Sequence, residues 1–329
     1  MKPETNKIPP GFHLLYLLAA AGFVYLYCVI ITPYIDFNGA NSINAVSSFE
    51  TYKPWQFRIL IPLIFFIFKP LTFISQTTVF WLYSGVIVYL LILVYAKVLC
   101  EYFENRKIVL FSATFIIYPM IWNYVILNSI FQYYDFTAIL IFTLGLYLII
   151  KEKFLLLNLV FIAGVLNKET SGYLVVAYLL FNYKTIFTKK IIFRGLFMVA
   201  LYAIIKIILG VIFRGNPGDP VELCMNENIK IIQSFFSNRL YFIHIVFSFG
   251  LIHIFFYILF LTGRWRKFPS RRLLFINLAF FPNILVGFFV TYFDEVRVYA
   301  EFIPLVTTLF LIYLSTFRRL NFRPVNKTE

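Results

Sequence analysis

The chain has 329 residues, of which 61% are hydrophobic and only 13% charged. That balance excludes a soluble globular domain, whose surface would need far more polar groups, and it points to a polytopic membrane protein. The net charge of +14 and the three cysteines exclude two further classes. Lys and Arg gathered in loops between apolar runs orient a membrane protein rather than bind nucleic acid, and three cysteines build no disulfide framework.

The first apolar run, 12–34, is longer than a signal core and no small-residue cleavage site follows it, so it reads as the first span. A loop over 35–58 comes next, with Asp36 near its start and "PWQFR" at its end. The stretch "RILIPLIFFIFKPLTFIS", 58–75, is interrupted by Pro62, Lys69 and Pro70 and is predicted to be re-entrant or interfacial. Further spans are predicted over 77–99, 108–128, 136–150, 190–213, 239–261, 273–293 and 302–317, which makes eight with the first. The stretch 154–182 departs from that pattern. "NKETS" divides it into two apolar halves, each too short for the roughly 30 Å hydrocarbon core, so a broken hairpin is predicted there. A loop is predicted over 214–238.

Orientation follows from Lys and Arg. "TGRWRKFPSRR" and "FRRLNFRPVNK" are the strongest basic loops and are assigned to the cytoplasm. Counting spans from them puts both termini and most of the 29 basic residues on that side. The acidic and mixed clusters fall on the outer side of an inner (plasma) membrane. Any chemistry is therefore expected at the outer face.

Four stretches carry candidate site residues. Ionisable side chains at membrane depth face a bundle interior or a wet cavity, which singles out Lys168 and Glu169 of "NKET". Consecutive helical residues do not face each other. Lys168 is therefore expected to point into a cavity and await an anion, and Glu169 to meet a cation elsewhere, Arg58 or Arg297. The plain alternative is a structural pair closing a tight turn. Arg58 opens an apolar run, and its planar fork suits a phosphate; the alternative is an interfacial anchor beside Trp55. "TYFDEVRVYAEFIPL" gathers Asp294, Glu295, Arg297, Tyr299 and Glu301. On a helix Glu295 shares a face with Tyr299, and Arg297 with Glu301. Asp135, just before a predicted helix, fits a cap. Asp36 ends a helix and is a candidate general base. Lys206, inside a span, is expected to snorkel. His13, His244 and His253 have no metal-ligand spacing. No cofactor is expected, although a divalent metal stays open.

The layout resembles the GT-C superfamily of polytopic glycosyltransferases: a first helix running outward, a long outer loop with an early acidic residue, and an outer polar site. "FRILIP", "NKET" and "DEVRVYAEFIPL" are similar to stretches in bacterial membrane proteins of GT-C-like type. The resemblance implies an all-helical membrane bundle that moves a sugar from a polyprenyl-phosphate-linked donor to an acceptor. It makes Asp36 the catalytic base and leaves Arg58, Lys168 and Arg297 to bind the donor phosphate. Asp135, Glu169, Asp294, Glu295, Tyr299 and Glu301 would support them. The chain departs from the GT-C pattern in having no large outer domain and no paired acids in the first loop. A transporter or flippase, whose substrate sites also use broken helices, and a polysaccharide polymerase are the competing expectations.

Overall fold

The computed structural model describes residues 8–31, 43–68, 75–127, 133–263, 265, 268, 270–292 and 295–315. Among them the structure is helical, with no β-strand. Asp36, Asp294 and the basic C-terminal tail lie outside the described residues.

Among the described residues six helices are long and apolar enough to cross a membrane, which makes this a multi-pass membrane protein. They are α1 (Pro10–Ile31), α3 (Gln76–Leu99), α4 (Arg106–Ile126), α8 (Lys189–Ile212), α12 (Arg271–Val290) and α13 (Arg297–Ser315). Shorter helices lie between them: α2 (Leu60–Phe68), α5 (Asp135–Ile150), α6 (Phe154–Asn167), α7 (Tyr173–Phe181), α9 (Met225–Gln233), α10 (Arg239–Val246) and α11 (Ile254–Leu261). The expected span over 239–261 is not one helix. A short turn at Ser248–Leu251 splits it into α10 and α11, with Phe249, Gly250 and Leu251 all at positive φ.

Side chains sort by face as lipid requires. On α1, Tyr16, Ala20, Phe23, Tyr27 and Ile31 are buried at helical spacing, while Leu14, Leu18, Tyr25 and Val29 face outward. Three of the long helices change pitch beside a proline. Proline removes the hydrogen bond to the residue four before it. Pro119 stands between a 3-10 turn (Ala113–Ile116) and a π-turn (Trp122–Ile126) in α4. Pro282 follows the 3-10 turn Asn277–Ala279, and Pro304 follows the 3-10 stretch Val296–Phe302.

The centre of the bundle is α5, packed against α3 and α6. The chain does turn back between α6 and α7. Phe154 at the start of α6 lies 5.8 Å from Tyr178 at the end of α7, ring to ring. Gly164 sits so close to the returning chain that a Cβ there would come within 2.6 Å of Ser171 Oγ. The tip of this hairpin is Lys168, in extended conformation (φ −162°, ψ 143°), followed by a 3-10 turn over Glu169–Gly172. The tip meets the N-terminal end of α5.

Candidate functional site

At that end of the bundle three separate stretches bring their charges together. The hairpin tip contributes Lys168 and Glu169, the start of α5 contributes Tyr134 and Asp135, and the 3-10 first turns of α13 contribute Arg297 and Glu301, with Glu295 just ahead of them. Arg58 is brought in by the loop before α2. That loop is held down firmly: Phe57 is buried against Leu209 and Phe213 of the α8 end, Lys53 N–H donates to Pro217 O at 3.0 Å, and Asn216 donates to Phe49 O and Thr51 O.

The charges form two linked chains. In the first, Lys168 Nζ lies 2.9 Å from Glu301 and 3.2 Å from Asp135. Asp135 is also 3.5 Å from Arg297, which lies 3.0 Å from Glu295. Thr170 donates to Glu301. In the second, Arg58 Nε donates to Glu169 at 3.0 Å, and Lys206 lies 3.6 Å from the same carboxylate. Tyr134 stands beside both. Its hydroxyl accepts from Arg58, and Arg297 lines the same cavity beside it. The Arg58 guanidinium lies over both the Tyr134 ring, at 4.5 Å, and the Trp55 ring, at 4.8 Å. The four cations Arg58, Lys168, Lys206 and Arg297 face the four carboxylates Asp135, Glu169, Glu295 and Glu301.

Burial divides these groups. Asp135, Lys168 and Glu301 are 0%, 4% and 2% exposed and form the floor. Glu169 and Glu295 each keep 36% side-chain exposure and stand at the rim, beside the two arginines. The rim opens into a cavity of about 510 Å³ lined by Trp55, Arg58, Tyr134, Lys168, Glu169 and Arg297, with Val176, Val286 and Val290 among its apolar walls. The loop 214–238 covers one side, tied to the end of α12 by Cys224 N–H donating to Phe289 O and by Asn228 donating to Phe288 O and Thr291 O.

The sequence expectations meet this geometry unevenly. Arg58, Lys168, Glu169, Glu295 and Arg297 line one cavity. Lys168 is not awaiting an anion, however: two buried carboxylates already hold its ammonium. Asp135 does not act as a side-chain cap. It lies in the first turn of α5, where a helix favours a carboxylate, and it bridges two cations. Arg297 and Glu301 are not paired along one helical face. Their segment is 3-10, so the α-helical four-residue spacing does not apply, and each meets the cluster through a different partner. Tyr299 packs behind the wall, its ring 5.7 Å from Phe280. Lys206 does not snorkel away but turns to Glu169. Sequence reasoning missed Tyr134 beside the arginines and missed Glu222, which lines the cavity and forms no ion pair among the described residues. A lysine in the middle of the apolar 24-residue helix α8 was the signal that could have drawn Lys206 into the site.

Among the described residues no three His, Cys, Asp or Glu side chains group as metal ligands. No protein-family model matches the sequence, and no curated protein or solved structure shows significant similarity to it.

Proposed function

We propose that this protein is a membrane glycosyltransferase of the GT-C type, moving a sugar from a polyprenyl-phosphate-linked donor to an acceptor at the outer face. One observation carries the reading. Two guanidiniums stand with Tyr134 at the rim of an apolar-walled cavity, and each is held by a half-exposed carboxylate. A planar guanidinium binds phosphate through paired hydrogen bonds. Glu169 and Glu295 hold the arginines in place until a phosphate takes over those contacts. The valine-lined wall suits the first isoprene units of a lipid.

In the proposed reaction Asp36 takes the proton of the acceptor hydroxyl as its oxygen bonds to the sugar C1. The C1–O bond to the phosphate breaks, and polyprenyl phosphate leaves with the electron pair. Arg58 and Arg297 stabilise the charge that develops on it. Glu222, which lines the cavity, is the other candidate for the same proton.

Sealed vesicles carrying the purified protein test the reaction class. The reading expects labelled sugar to appear on the acceptor, and expects Asp36→Asn or Glu222→Gln to stop transfer with donor binding retained. Movement of intact sugar lipid across the bilayer, with no sugar–phosphate bond broken, would make the protein a transporter instead.

A further inference from the structure

A second cavity lies at the opposite end of the same helices. It is lined by the last turn of α5, the start of α6, the end of α7, the start of α8 and Arg272 of α12, and it holds about 420 Å³. The 16 residues of α5 separate it from the first cavity by about 24 Å, so the two open toward opposite ends of the bundle.

Its chemistry is that of an anion site. Lys190, Arg194 and Arg272 line it against one carboxylate, Glu152. Neither Lys190 nor Arg194 has a carboxylate partner among the described residues. Arg194 is held in place by the Phe154 ring, 4.6 Å from its guanidinium, and Arg272 lies 5.4 Å from the Phe181 ring. The N-terminus of α8 lies here without a side-chain cap, and the Thr188 hydroxyl donates to Thr185 O. Thr188, Lys190 and Ile191 at the positive end of this 24-residue helix line the cavity. Tyr178, only 5% exposed, also lines the cavity, and its hydroxyl has no hydrogen-bond partner. A buried hydroxyl without a partner is costly, which marks an unsatisfied donor in the wall beside this cavity.

We infer that this cavity binds a phosphate group, either the head group of an anionic phospholipid or a free phosphate. The flanking surface favours the lipid source: Leu155 and Phe187 beside the mouth are 81% and 90% exposed, and basic pockets between membrane helices take anionic head groups. The inference stands apart from the glycosyl-transfer reading, since it uses none of the same residues.

The test uses the full-length protein in nanodiscs. One arm measures retention of phosphatidylglycerol against a phosphatidylcholine background. The other measures the thermal shift given by inorganic phosphate over chloride at equal ionic strength in neutral lipid. Wild type binds in at least one arm, and the arm that responds identifies the source. Lys190→Gln, at an exposed position that leaves the fold alone, and Arg194→Gln each weaken that binding about tenfold, the loss of one charge-assisted contact. Lys184→Gln, nearby but outside the cavity lining, leaves it unchanged. Binding in neither arm, binding untouched by Lys190→Gln, or equal loss in Lys184→Gln overturns the site.

Discussion

Lys168 shows what burial does to a residue whose charge was easy to find and whose partners were not. Its type and its place in an apolar stretch mark it as costly in a membrane. That it meets Asp135 and Glu301, which are 33 and 133 residues away in sequence, depends on packing that no local pattern encodes. The consequence is a role in folding. Removing one member of a buried ion cluster leaves the others uncompensated and costs about 3–5 kcal/mol. Lys168→Ala is therefore expected to lower the unfolding temperature and yield in detergent. Lys168→Met with Glu301→Gln should recover part of the loss, because Asp135 keeps Arg297; a double variant no better than Lys168→Ala would show that the pair is not what holds the floor. Arg58 is the opposite case. Arg58→Lys keeps the charge but loses the fork and the stacking between Trp55 and Tyr134. Donor binding should fall about tenfold, the worth of one charge-assisted hydrogen bond, with little change in thermal unfolding. Unchanged donor binding would remove Arg58 from the proposed site.

The helices were legible where their sequence carries a breaker and less so where it does not. "NKETS" sits in the middle of an apolar stretch, and the chain turns back there. The run over 239–261 carries only Gly250 as a weak signal, so the break at Ser248–Leu251 went unseen. Its cause is tertiary. Phe249 N–H donates to Asn123 Oδ1 at 2.7 Å and Tyr118 donates to Gly250 O, so the turn is seated on the π-turn of α4. Gly250 has φ +60°, and a Cβ there would come within 2.5 Å of Trp122 and 2.6 Å of Tyr118. Gly250→Ala adds both backbone strain and overpacking, about 2–4 kcal/mol together. Thermal unfolding of the variant checks this; an unchanged melting temperature would mean that the turn is not locked as described. Partial legibility of the 3-10 stretch Val296–Phe302 has the same origin. Its residue types pointed to a site, but their pairing was worked out for an α-helix.

At the scale of the whole molecule, composition and basic-residue placement establish a multi-pass helical protein, and the bundle gives the two ends different chemistry. The described termini, at residues 8 and 315, lie at the end away from the ion cluster, together with Lys151, Lys190 and Arg194. Positive residues favour the cytoplasm, so the ion cluster is expected outside. Impermeant thiol reagents check this. The reporters are Cys100, exposed at the basic end, and Leu223→Cys, at a position 77% exposed at the other. Leu223→Cys should label in intact cells and Cys100 only after permeabilisation, and the reverse pattern inverts the molecule. Native Cys224 is a poor reporter, since it is buried and its thiol pKa is pushed up by burial and by Glu222, Glu227 and Glu295. With the thiolate scarce at neutral pH, its labelling should quicken as pH rises beyond the ordinary thiol range. The most direct measurement of the central claim is equilibrium binding of a polyprenyl phosphate to the purified protein in nanodiscs, compared between wild type, Arg58→Gln and Arg297→Gln. The account predicts saturable binding by wild type and a loss of about tenfold or more in each variant that remains folded. Equal binding by all three would contradict it.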